Sequence, residues 1–457
     1  MSSGLPELQK GYRGAGDIEI QKIVLVTPRG TSYDIGALTI EFNIFQDLFE
    51  HHLTCEVVLN DSQNLLGSLG LNEDDDDYNG FTGNEVLFIA YKTKSEDLEF
   101  VSHGFVLHEI ERRLRIDEHN ETYVLNGISV EALGTKTRNI SRALGRGQGK
   151  EIHKIVDDLV KEFYINEQTK AFYTAYSSVF KHGVAKKFTS DQTNGRQKYI
   201  IPNMTVSDTI TMLSSQADND KHIPLFLFYE DATGYNFRDI NKLVEQDVKA
   251  TYKYLPSNLP LTGQDAPTEF LDPNNITAYN VVKQRSYLRD ATAGLFSAKT
   301  YNIDILQKKK TEISYSYENT ESKFSKLQPN KILGKATGDV VQYMFTSRTG
   351  HADSGSPFVA ENPAPKKLNA FAAGKRSYQR HIFNVVLEVT VPGDSTLNVG
   401  DVVYLSIPAA SNTKTAERDG DIYLSGKYII TKLRQKMKGK TGDGFVSIFE
   451  CAKDTRI

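Results

Sequence analysis

Tryptophan is absent from this sequence of 457 residues, and cysteine occurs only twice, as Cys55 and Cys451 near opposite ends of the chain. Two cysteines can build neither a disulfide framework nor a zinc site with four thiolate ligands. We therefore expect two free thiols in a protein that is assembled in a reducing cytoplasm. The sequence also lacks any run of about 18 apolar residues, and its N-terminus has no basic segment followed by an apolar core. Neither a membrane span nor a secretory signal is predicted.

A strong charge of either sign is lacking as well. The 54 basic and 58 acidic residues give a formal net charge of −4. A general nucleic-acid binder needs a basic excess to displace counterions from phosphates, so we expect no nucleic-acid specificity. Aromatic residues are plentiful, and the 23 Tyr and 23 Phe favour strands and oligomeric interfaces. A chain of this length exceeds one ordinary core, so about two to four domains are expected.

Strands are predicted for the first quarter of the chain and helices for the part after Ala132. Apolar residues alternate with polar ones at Leu38, Ile40, Phe42 and Ile44, and again at Leu53, Cys55, Val57 and Leu59. Short alternating runs with turn residues between them indicate an antiparallel barrel or sandwich. The apolar residues between Lys150 and Phe163 instead fall on one helical face. A second helix is predicted to start at Thr205, with Asp208 in the capping-box position.

Further along the chain, the segment from Leu225 to Ile240 reads as a hairpin around Asp231 and Gly234. Two stretches, 255–275 and 347–367, are predicted to be long loops or linkers because they are rich in proline, glycine and serine. Strand-like runs after the second loop indicate a separate small β-domain at the C-terminus.

The acidic run at 73–77 is the one candidate for a metal site. Asp75, Asp77, Asn79 and Gly80 match the start of a calcium loop of the EF-hand type. The twelfth position of that loop is Val86 rather than a bidentate acid, and the following segment reads as a strand. A solvated acidic loop is the favoured interpretation, and an irregular calcium site is the alternative.

No other pattern supports catalysis or cofactor binding. The glycine-rich turn at 145–150 precedes a helix, but its lysine is followed by Glu151 where a phosphate-binding loop requires Ser or Thr. His103 and His108 are an odd number of residues apart in a predicted strand, so they point to opposite faces. The run Lys308–Lys310 is interpreted as a solvated edge or loop. We assign no catalytic residue, no cofactor and no enzymatic activity.

The middle of the chain resembles the central baseplate hub proteins of phages with contractile tails. The resemblance lies in Val130–Lys136, Asn139–Leu144, the helix from Glu151 to Phe163, Ile200–Val206 with its following helix, the aromatic hairpin from Phe226 to Phe237, and Gly294–Asp304. Together these motifs cover about residues 120–320, and their order and spacing carry the resemblance.

The resemblance implies a β-rich, mixed α+β multidomain protein with two tube-protein-like antiparallel β-barrels. The predicted boundaries are a first barrel at 1–130, a helical α/β segment at 131–200, a second barrel with a helix and a long loop at 201–346, and a linker with a small C-terminal β-domain at 347–457. No duplication between the two barrels is visible in the sequence, so the two-barrel prediction depends on the resemblance.

The resemblance also implies a structural subunit of the virion. Three copies would form a ring that adapts a three-fold spike to the six-fold tail tube. The expected partners are the central spike and the tail tube protein, with tape measure and baseplate wedge proteins as further candidates. The expected place is the tail baseplate, after assembly in the cytoplasm of the bacterial host.

Two other functions stay open at this point. The first is the hub of a contractile injection or type VI secretion-like system, which shares the barrels. A fused hub of that kind continues into a β-helical needle, and no such repeats occur before Ile457, so we expect the spike to be a separate polypeptide. The second is a tail-associated cell-wall hydrolase, which the missing local catalytic motifs argue against.

Overall fold

The computed structural model describes residues 16–69, 80–93, 98–175, 186–219, 225–254, 273–304, 308–332, 338–345, 364–409, 420–439 and 444–456. The acidic run at 73–77 and most of the two predicted long loops lie outside the described residues. Within the described part, no helix is long and apolar enough to cross a membrane.

The N-terminal region is a curved antiparallel sheet with one short helix. Its elements are β1 (Ile18–Val26), β2 (Ser32–Asp34), β3 (Thr39–Asp47), β4 (Thr54–Asp61), α1 (Leu65–Ser68), β5 (Val86–Thr93), β6 (Val101–Arg115) and β7 (Glu121–Ser129). The predicted alternation in β4 is confirmed, since Leu53, Cys55, Val57 and Leu59 are all buried. β3 departs from the prediction at Ile40, which is 49 % exposed because a bulge shifts the register between Thr39 and Glu41.

A small α/β segment follows the first sheet. It contains α2 (Glu131–Thr137), β8 (Asn139–Ile140), β9 (Ala143–Leu144), β10 (Lys150–Glu151), α3 (Ile152–Phe163), α4 (Glu167–Ala175), β11 (Lys187–Ser190), β12 (Arg196–Gln197), β13 (Tyr199–Ile200), β14 (Met204–Thr205), α5 (Val206–Gln216), β15 (Phe226–Asp231), β16 (Gly234–Asp239) and α6 (Ile240–Val244). Both predicted helices and the predicted hairpin are confirmed.

Local signals explain these helices. α3 buries Ile155, Val156 and Leu159 on one face, as its apolar spacing predicts. α5 begins where predicted, because the Thr205 hydroxyl accepts a hydrogen bond from the Asp208 backbone N–H at 3.1 Å. The Asp208 carboxylate closes the cap differently from the predicted box, since it accepts from the Thr205 hydroxyl at 2.7 Å.

The rest of the chain completes a second curved sheet and covers it. Its elements are β17 (Val248–Tyr254), β18 (Asn275–Ile276), β19 (Ala278–Lys283), α7 (Tyr287–Thr292), β20 (Ser297–Asp304), β21 (Lys309–Ser316), α8 (Tyr317–Thr320), a 3-10 turn (Glu321–Lys323), β22 (Val340–Phe345), α9 (Ala364–Ile382), β23 (Val385–Pro392), β24 (Val402–Ser406), β25 (Gly426–Lys438) and β26 (Val446–Lys453). The predicted β-rich fold class is confirmed by this large sheet and its few helices.

The same five-strand arrangement occurs twice, which the sequence did not reveal. In the N-terminal repeat the strand order is β3-β4-β7-β6-β5, and in the C-terminal repeat it is β19-β23-β26-β25-β24. Every neighbouring pair is antiparallel in both repeats. A sixth strand lies beside each repeat, but its direction differs between the two. β1 runs antiparallel to β5, whereas β17 runs parallel to β24.

Backbone details match between the two repeats. β6 shifts its register against β7 at His108, and β25 shifts its register against β26 at Thr431. One residue before each shift, the backbone N–H of Leu107 donates to Glu85 at 2.8 Å, and that of Ile430 donates to Asp401 at 2.9 Å. β-Bulges are specific features of a fold rather than defects, so bulges at equivalent positions support the equivalence of the two repeats. The two repeats are therefore structural copies of one unit.

Each repeat curls around its own core, and the α/β segment has a third. The N-terminal core gathers buried residues of β1 to β7, and it also receives Met437 and Phe445 from the C-terminal repeat. The C-terminal core combines its own strands with residues of the segment between β19 and β23, among them Tyr317 and Tyr378. The N-terminal repeat ends at Ser129, next to the predicted boundary at 130. The predicted boundary at 346/347 cuts through the second repeat, because β19 pairs with β23 across it.

Candidate functional site

Strand β25 joins the two repeats into one continuous sheet. Its first residues, Gly426 to Ile429, pair with β24, and its last residues, Lys432 to Lys438, pair on the same side with β3. β26 pairs with the opposite side of β25. The partner changes at the Thr431 bulge, where the backbone N–H of Leu48 donates to Thr431 at 2.9 Å. We call this β25–β3 pairing the internal joint.

Charges of opposite sign face each other across the internal joint. Lys432 of β25 lies 3.9 Å from Asp47 of β3, and Arg434 and Lys436 lie 3.3 and 2.7 Å from Glu41. Partial burial acts to raise the pKa of Glu41, but hydrogen bonds from Lys436 and Asn43 hold it below its ordinary value. Such cross-strand pairs each contribute about 0.2–1 kcal/mol and disfavour pairings that bring like charges together.

Buried polar contacts lock the other side of the same joint. Val399 donates its backbone N–H to Gln46 Oε1 at 3.1 Å, and Gln46 Nε2 donates to Asn398 Oδ1 at 3.2 Å. Tyr91 of the N-terminal repeat donates its hydroxyl to Gln435 of β25. Because unpaired buried polar atoms are costly, these bonds fix the two repeats in one relative position.

The polar face of the sheet forms an open depression of about 780 Å³ at the internal joint. Both repeats line it. Its acidic side chains are Asp47, Glu50, Glu56, Glu111, Glu388 and Glu450, and its basic side chains are Lys136, Lys432 and Arg434. The acidic excess repels the phosphates of a nucleic acid, so the depression does not suit phosphate binding. It presents a broad, charged and concave sheet face that both repeats line.

A buried ion cluster ties the N-terminal repeat to the α/β segment. Lys186 lies 2.5 Å from Glu131 at the start of α2 and 2.6 Å from Glu230 in β15. Tyr173 and Tyr235 donate their hydroxyls to Glu131 at 2.9 and 3.1 Å. The backbone N–H of Leu53, just before β4, donates to Glu230 at 3.0 Å. Burial acts to lower the pKa of Lys186, but the two carboxylates raise it well above its ordinary value.

His52 lies beside this cluster without carrying a charge. Burial, with the nearby His51 and Lys186, lowers the pKa of His52 well below its ordinary value, so its ring is neutral at pH 7. Its Nε2 lies 2.9 Å from the Thr135 hydroxyl, and its ring stacks on Tyr164. No pattern in the sequence predicts this cluster, because its members are separated by up to 183 positions (52 to 235) and no local motif links them.

One arrangement resembles a catalytic group but is closed to substrate. Tyr317 has its hydroxyl 3.0 Å from His381 Nδ1, and His381 Nε2 lies 3.7 Å from Asp454. The side chains of His381 and Asp454 are 0 % and 1 % exposed. Asp454 also accepts backbone N–H bonds from Leu327 and Gln328 at 2.8 and 3.3 Å. Because these side chains are buried, no reacting group can reach the trio, and Tyr317 packs in the C-terminal core.

The structure places most of the candidate site residues from the sequence, but not the acidic run. Asp75, Asp77 and Asn79 lie outside the described residues. Within the described part, no group of three or more His, Cys, Asp and Glu side chains could hold a metal ion. Cys55 and Cys451 are free and buried, as predicted.

Gly145, Gly147 and Gly149 all have positive φ in the turn before α3. His103 is buried and His108 is exposed, and Lys308 has positive φ in the turn before β21.

Comparison with known proteins shows a similarity to a phage baseplate hub protein. No family model matches the chain. The chain is 22 % identical over 250 residues to the "Probable baseplate hub protein gp334" of Vibrio phage KVP40, a match that covers 51 % of this chain and 53 % of that protein. The chain thus spans about half the length of the curated relative it matches. This similarity confirms the predicted resemblance to phage baseplate hub proteins.

Two solved structures of tail proteins align with most of this chain. A tail protein from Neisseria meningitidis MC58 aligns with 95 % of this chain and 96 % of its own length, at 9 % identity and a TM-score of 0.48. The 43 kDa tail protein of prophage MuSo2 from Shewanella oneidensis aligns with 95 % of this chain and 100 % of its own length, at 12 % identity and a TM-score of 0.49.

Proposed function

We propose that the chain is a structural subunit of a phage baseplate hub, which forms a homotrimeric ring between a six-fold tail tube and a three-fold spike. The observation that carries this proposal is the five-strand repeat, which occurs twice in one chain and is joined edge to edge by β25 and β3. Three such chains present six equivalent sheets. A ring of three identical chains with six similar surfaces matches the three-fold symmetry of the spike and the six-fold symmetry of the tail tube. The similarity to a baseplate hub protein supports the same function.

The proposed partners are the tail tube protein, the central spike, and the tape measure and wedge proteins of the baseplate. The proposed place is the virion tail, after assembly in the cytoplasm of the host. Free buried thiols at Cys55 and Cys451 are compatible with assembly in a reducing compartment. The hub has no catalytic role in this proposal, because its function needs complementary surfaces rather than a pocket of acids and bases.

Light scattering of the purified protein tests the proposal. We expect a particle of three chain masses, formed either by the protein alone or after addition of spike protein. A ring of six-fold outline should then bind purified tail tube protein. A stable monomer at high concentration, with spike protein present, would refute the hub proposal.

Zymography on cell-wall material separates the hub from a hydrolase. We expect no clearing zone from protein that is free of copurified spike. Replacement of Asp75, Asp77 and Asn79 by serine should leave assembly with tube and spike unchanged. Assembly that a chelator abolishes, and that the same replacements also abolish, would instead establish the calcium alternative.

A further inference from the structure

A small cavity opens at one end of the C-terminal repeat, apart from the depression at the internal joint. Its volume is about 210 Å³. Arg285 lines it from the chain after β19, Lys331 from the chain before β22, Asn384 from just before β23, and Thr455 and Arg456 from the chain after β26. Sites for whole small molecules measure about 300–1,000 Å³. The smaller cavity therefore suits a single chemical group.

The floor of the cavity consists of buried polar side chains that hydrogen bonds hold in place. Asn384 is 2 % exposed, and its Nδ2 donates to the Asp454 carbonyl at 2.9 Å. Thr455 is 6 % exposed, and its hydroxyl donates to the Asn330 carbonyl at 3.1 Å. Asn330 Nδ2 donates to the Arg456 carbonyl at 3.3 Å. These bonds fix the floor before a ligand arrives, which lowers the conformational entropy lost on binding.

The rim of the cavity is basic. Arg285, Lys331 and Arg456 are all exposed there, and no acidic side chain is among the described residues that line the cavity. Neither Lys331 nor Arg456 forms an ion pair with a described residue. Three positive groups around one small volume create a potential that attracts anions.

Acidic residues close to the cavity in sequence are bound elsewhere. Asp421 accepts the backbone N–H groups of Tyr423 and Leu424 at 2.7 and 3.1 Å. Asp454 is buried and accepts the backbone N–H of Leu327 at 2.8 Å. Neither carboxylate lines the cavity, so neither is a direct partner of the rim cations.

The basic charge continues around Asp290, which is buried. Burial raises the pKa of Asp290, and four cations act in the opposite direction, namely Lys283, Arg285, Arg289 and Arg380. One buried carboxylate thus lies among four cations, of which Arg285 also lines the cavity. This end of the repeat therefore attracts anions over a wider area than the cavity itself.

We propose that the cavity binds one phosphate group, either as the hydrogen phosphate ion or as a terminal phosphate monoester. An arginine side chain binds phosphate oxygens through two parallel N–H bonds, and a lysine adds a point charge. Three cations exceed the single charge of a carboxylate, whereas a phosphate group carries about 1.5 to 2 negative charges at pH 7.

Asn384 adds selectivity among oxyanions. Its Oδ1 is buried and has no hydrogen-bond partner among the described residues. An amide oxygen only accepts hydrogen bonds, so it favours an oxyanion that still carries a P–OH group. Hydrogen phosphate has such a donor near neutral pH, and a monoester has one in its singly charged form. Sulfate and phosphate diesters have none, so Asn384 selects against both.

The phosphate site goes beyond the hub function and does not depend on it. The two cavities described here have opposite charge, because the depression at the internal joint has an acidic excess and the smaller cavity has a basic rim. Phosphate is therefore expected at the end of the C-terminal repeat and not at the internal joint.

Isothermal titration calorimetry of the intact protein at pH 7 and constant ionic strength tests the proposal. Inorganic phosphate, glycerol 3-phosphate, sulfate, acetate and dimethyl phosphate are titrated in turn. We expect inorganic phosphate to bind about ten-fold more tightly than sulfate, acetate or dimethyl phosphate. Similar affinity for glycerol 3-phosphate would assign the site to phosphate monoesters, and its failure to bind would assign the site to the free ion. Equal affinity for all five anions, or no binding of phosphate, would overturn the proposal.

Variants of the rim locate the site. Lys331→Gln and Arg456→Gln should each weaken phosphate binding about ten-fold, since each removes a charge-assisted hydrogen bond. The matched control is Lys323→Gln, because Lys323 is exposed in the 3-10 turn of the same chain segment and does not line the cavity. It should change the affinity less than about two-fold, since salt screens distant exposed charges.

Thermal melting of each variant verifies that it folds. Unchanged phosphate affinity in both rim variants would overturn the assignment to this cavity. Because the affinity is measured whatever the oligomeric state, that result would leave the hub proposal unaffected.

Discussion

The two repeats share five strands in one order, but the chain passes through them differently. In the N-terminal repeat, the first strand β3 ends at Asp47 and the second strand β4 begins at Thr54. In the C-terminal repeat, β19 ends at Lys283 and β23 begins only at Val385. The chain between them forms β20, β21, β22 and α9, and of these β20, β21 and α9 contribute buried residues to the C-terminal core. A sheet accepts a long insertion between neighbouring strands because only the ends of the insertion have to stay adjacent.

The repeats also differ in the buried acid that follows their last strand. Glu131 follows β7 and is neutralised by Lys186, whereas Asp454 follows β26 and is held mainly by backbone N–H groups. Each repeat thus has a buried carboxylate within two residues of the end of its last strand, paired with a cation in one repeat and with peptide dipoles in the other.

Lys186→Met should lower the free energy of unfolding by about 3–5 kcal/mol, because it leaves the carboxylates of Glu131 and Glu230 buried without their cation. Denaturant unfolding measures the effect. The control is Lys170→Met, since Lys170 forms a surface pair with Glu167 at 2.9 Å and its loss should cost less than about 1 kcal/mol. Equal losses for the two variants would contradict the buried cluster.

Asp454 should make the C-terminal repeat sensitive to pH. Burial raises the pKa of Asp454 from its ordinary value of 3.8 to about 6. A raised carboxyl pKa stabilises the fold below the unfolded pKa, and this stabilisation is lost as the pH rises through about 6. The free energy of unfolding of the wild type, compared with that of Asp454→Asn, should therefore decrease by up to about 3 kcal/mol between pH 4 and pH 7. A constant difference between the two proteins across this range would refute the assignment.

Gly127→Ala should lower the free energy of unfolding by about 1–3 kcal/mol. A Cβ at this position would lie 2.7 Å from Cys55 Sγ and 3.1 Å from Phe105 Cβ. The equivalent position in the C-terminal repeat is Cys451, where Cys451→Ala only removes a buried sulfur and should cost about 1 kcal/mol. Adding Cys55→Ala to Gly127→Ala should recover part of the loss. Strictly additive losses in this double-mutant cycle would show that the two positions are not in contact.

Lys432→Ala should lower the free energy of unfolding, measured by denaturant unfolding, by only about 0.2–1 kcal/mol. The reason is that Lys432 and Asp47 lie 3.9 Å apart at the internal joint and are partly exposed. The effect should diminish in high salt, since screening weakens exposed pairs. A loss of several kcal/mol that does not depend on salt would mean that Lys432 has a buried role in the joint.

Elements whose signals lie within a few residues are predictable from the sequence. The alternation at Leu53 to Leu59 predicted β4, and the spacing of Ile155 and Leu159 predicted the buried face of α3. The prediction for β3 was wrong at Ile40, because a bulge is a tertiary feature that changes which side chains face the core. The domain boundary predicted at 346/347 followed a loop-like composition, which carries no information about which strands pair across it.

Patterns among neighbouring residues predict the alternating strand β4, the helices α3 and α5, the Thr205 cap and the resemblance to baseplate hub proteins. Only the tertiary structure decided that five strands recur as a second unit, that β25 changes partner at Thr431, and that Lys186 lies between Glu131 and Glu230. The equivalent positions of the two repeats carry dissimilar residues, such as Gly127 and Cys451. Backbone pairing between distant strands preserves a topology while side chains change, so the duplication is visible in hydrogen bonds and not in residue identities.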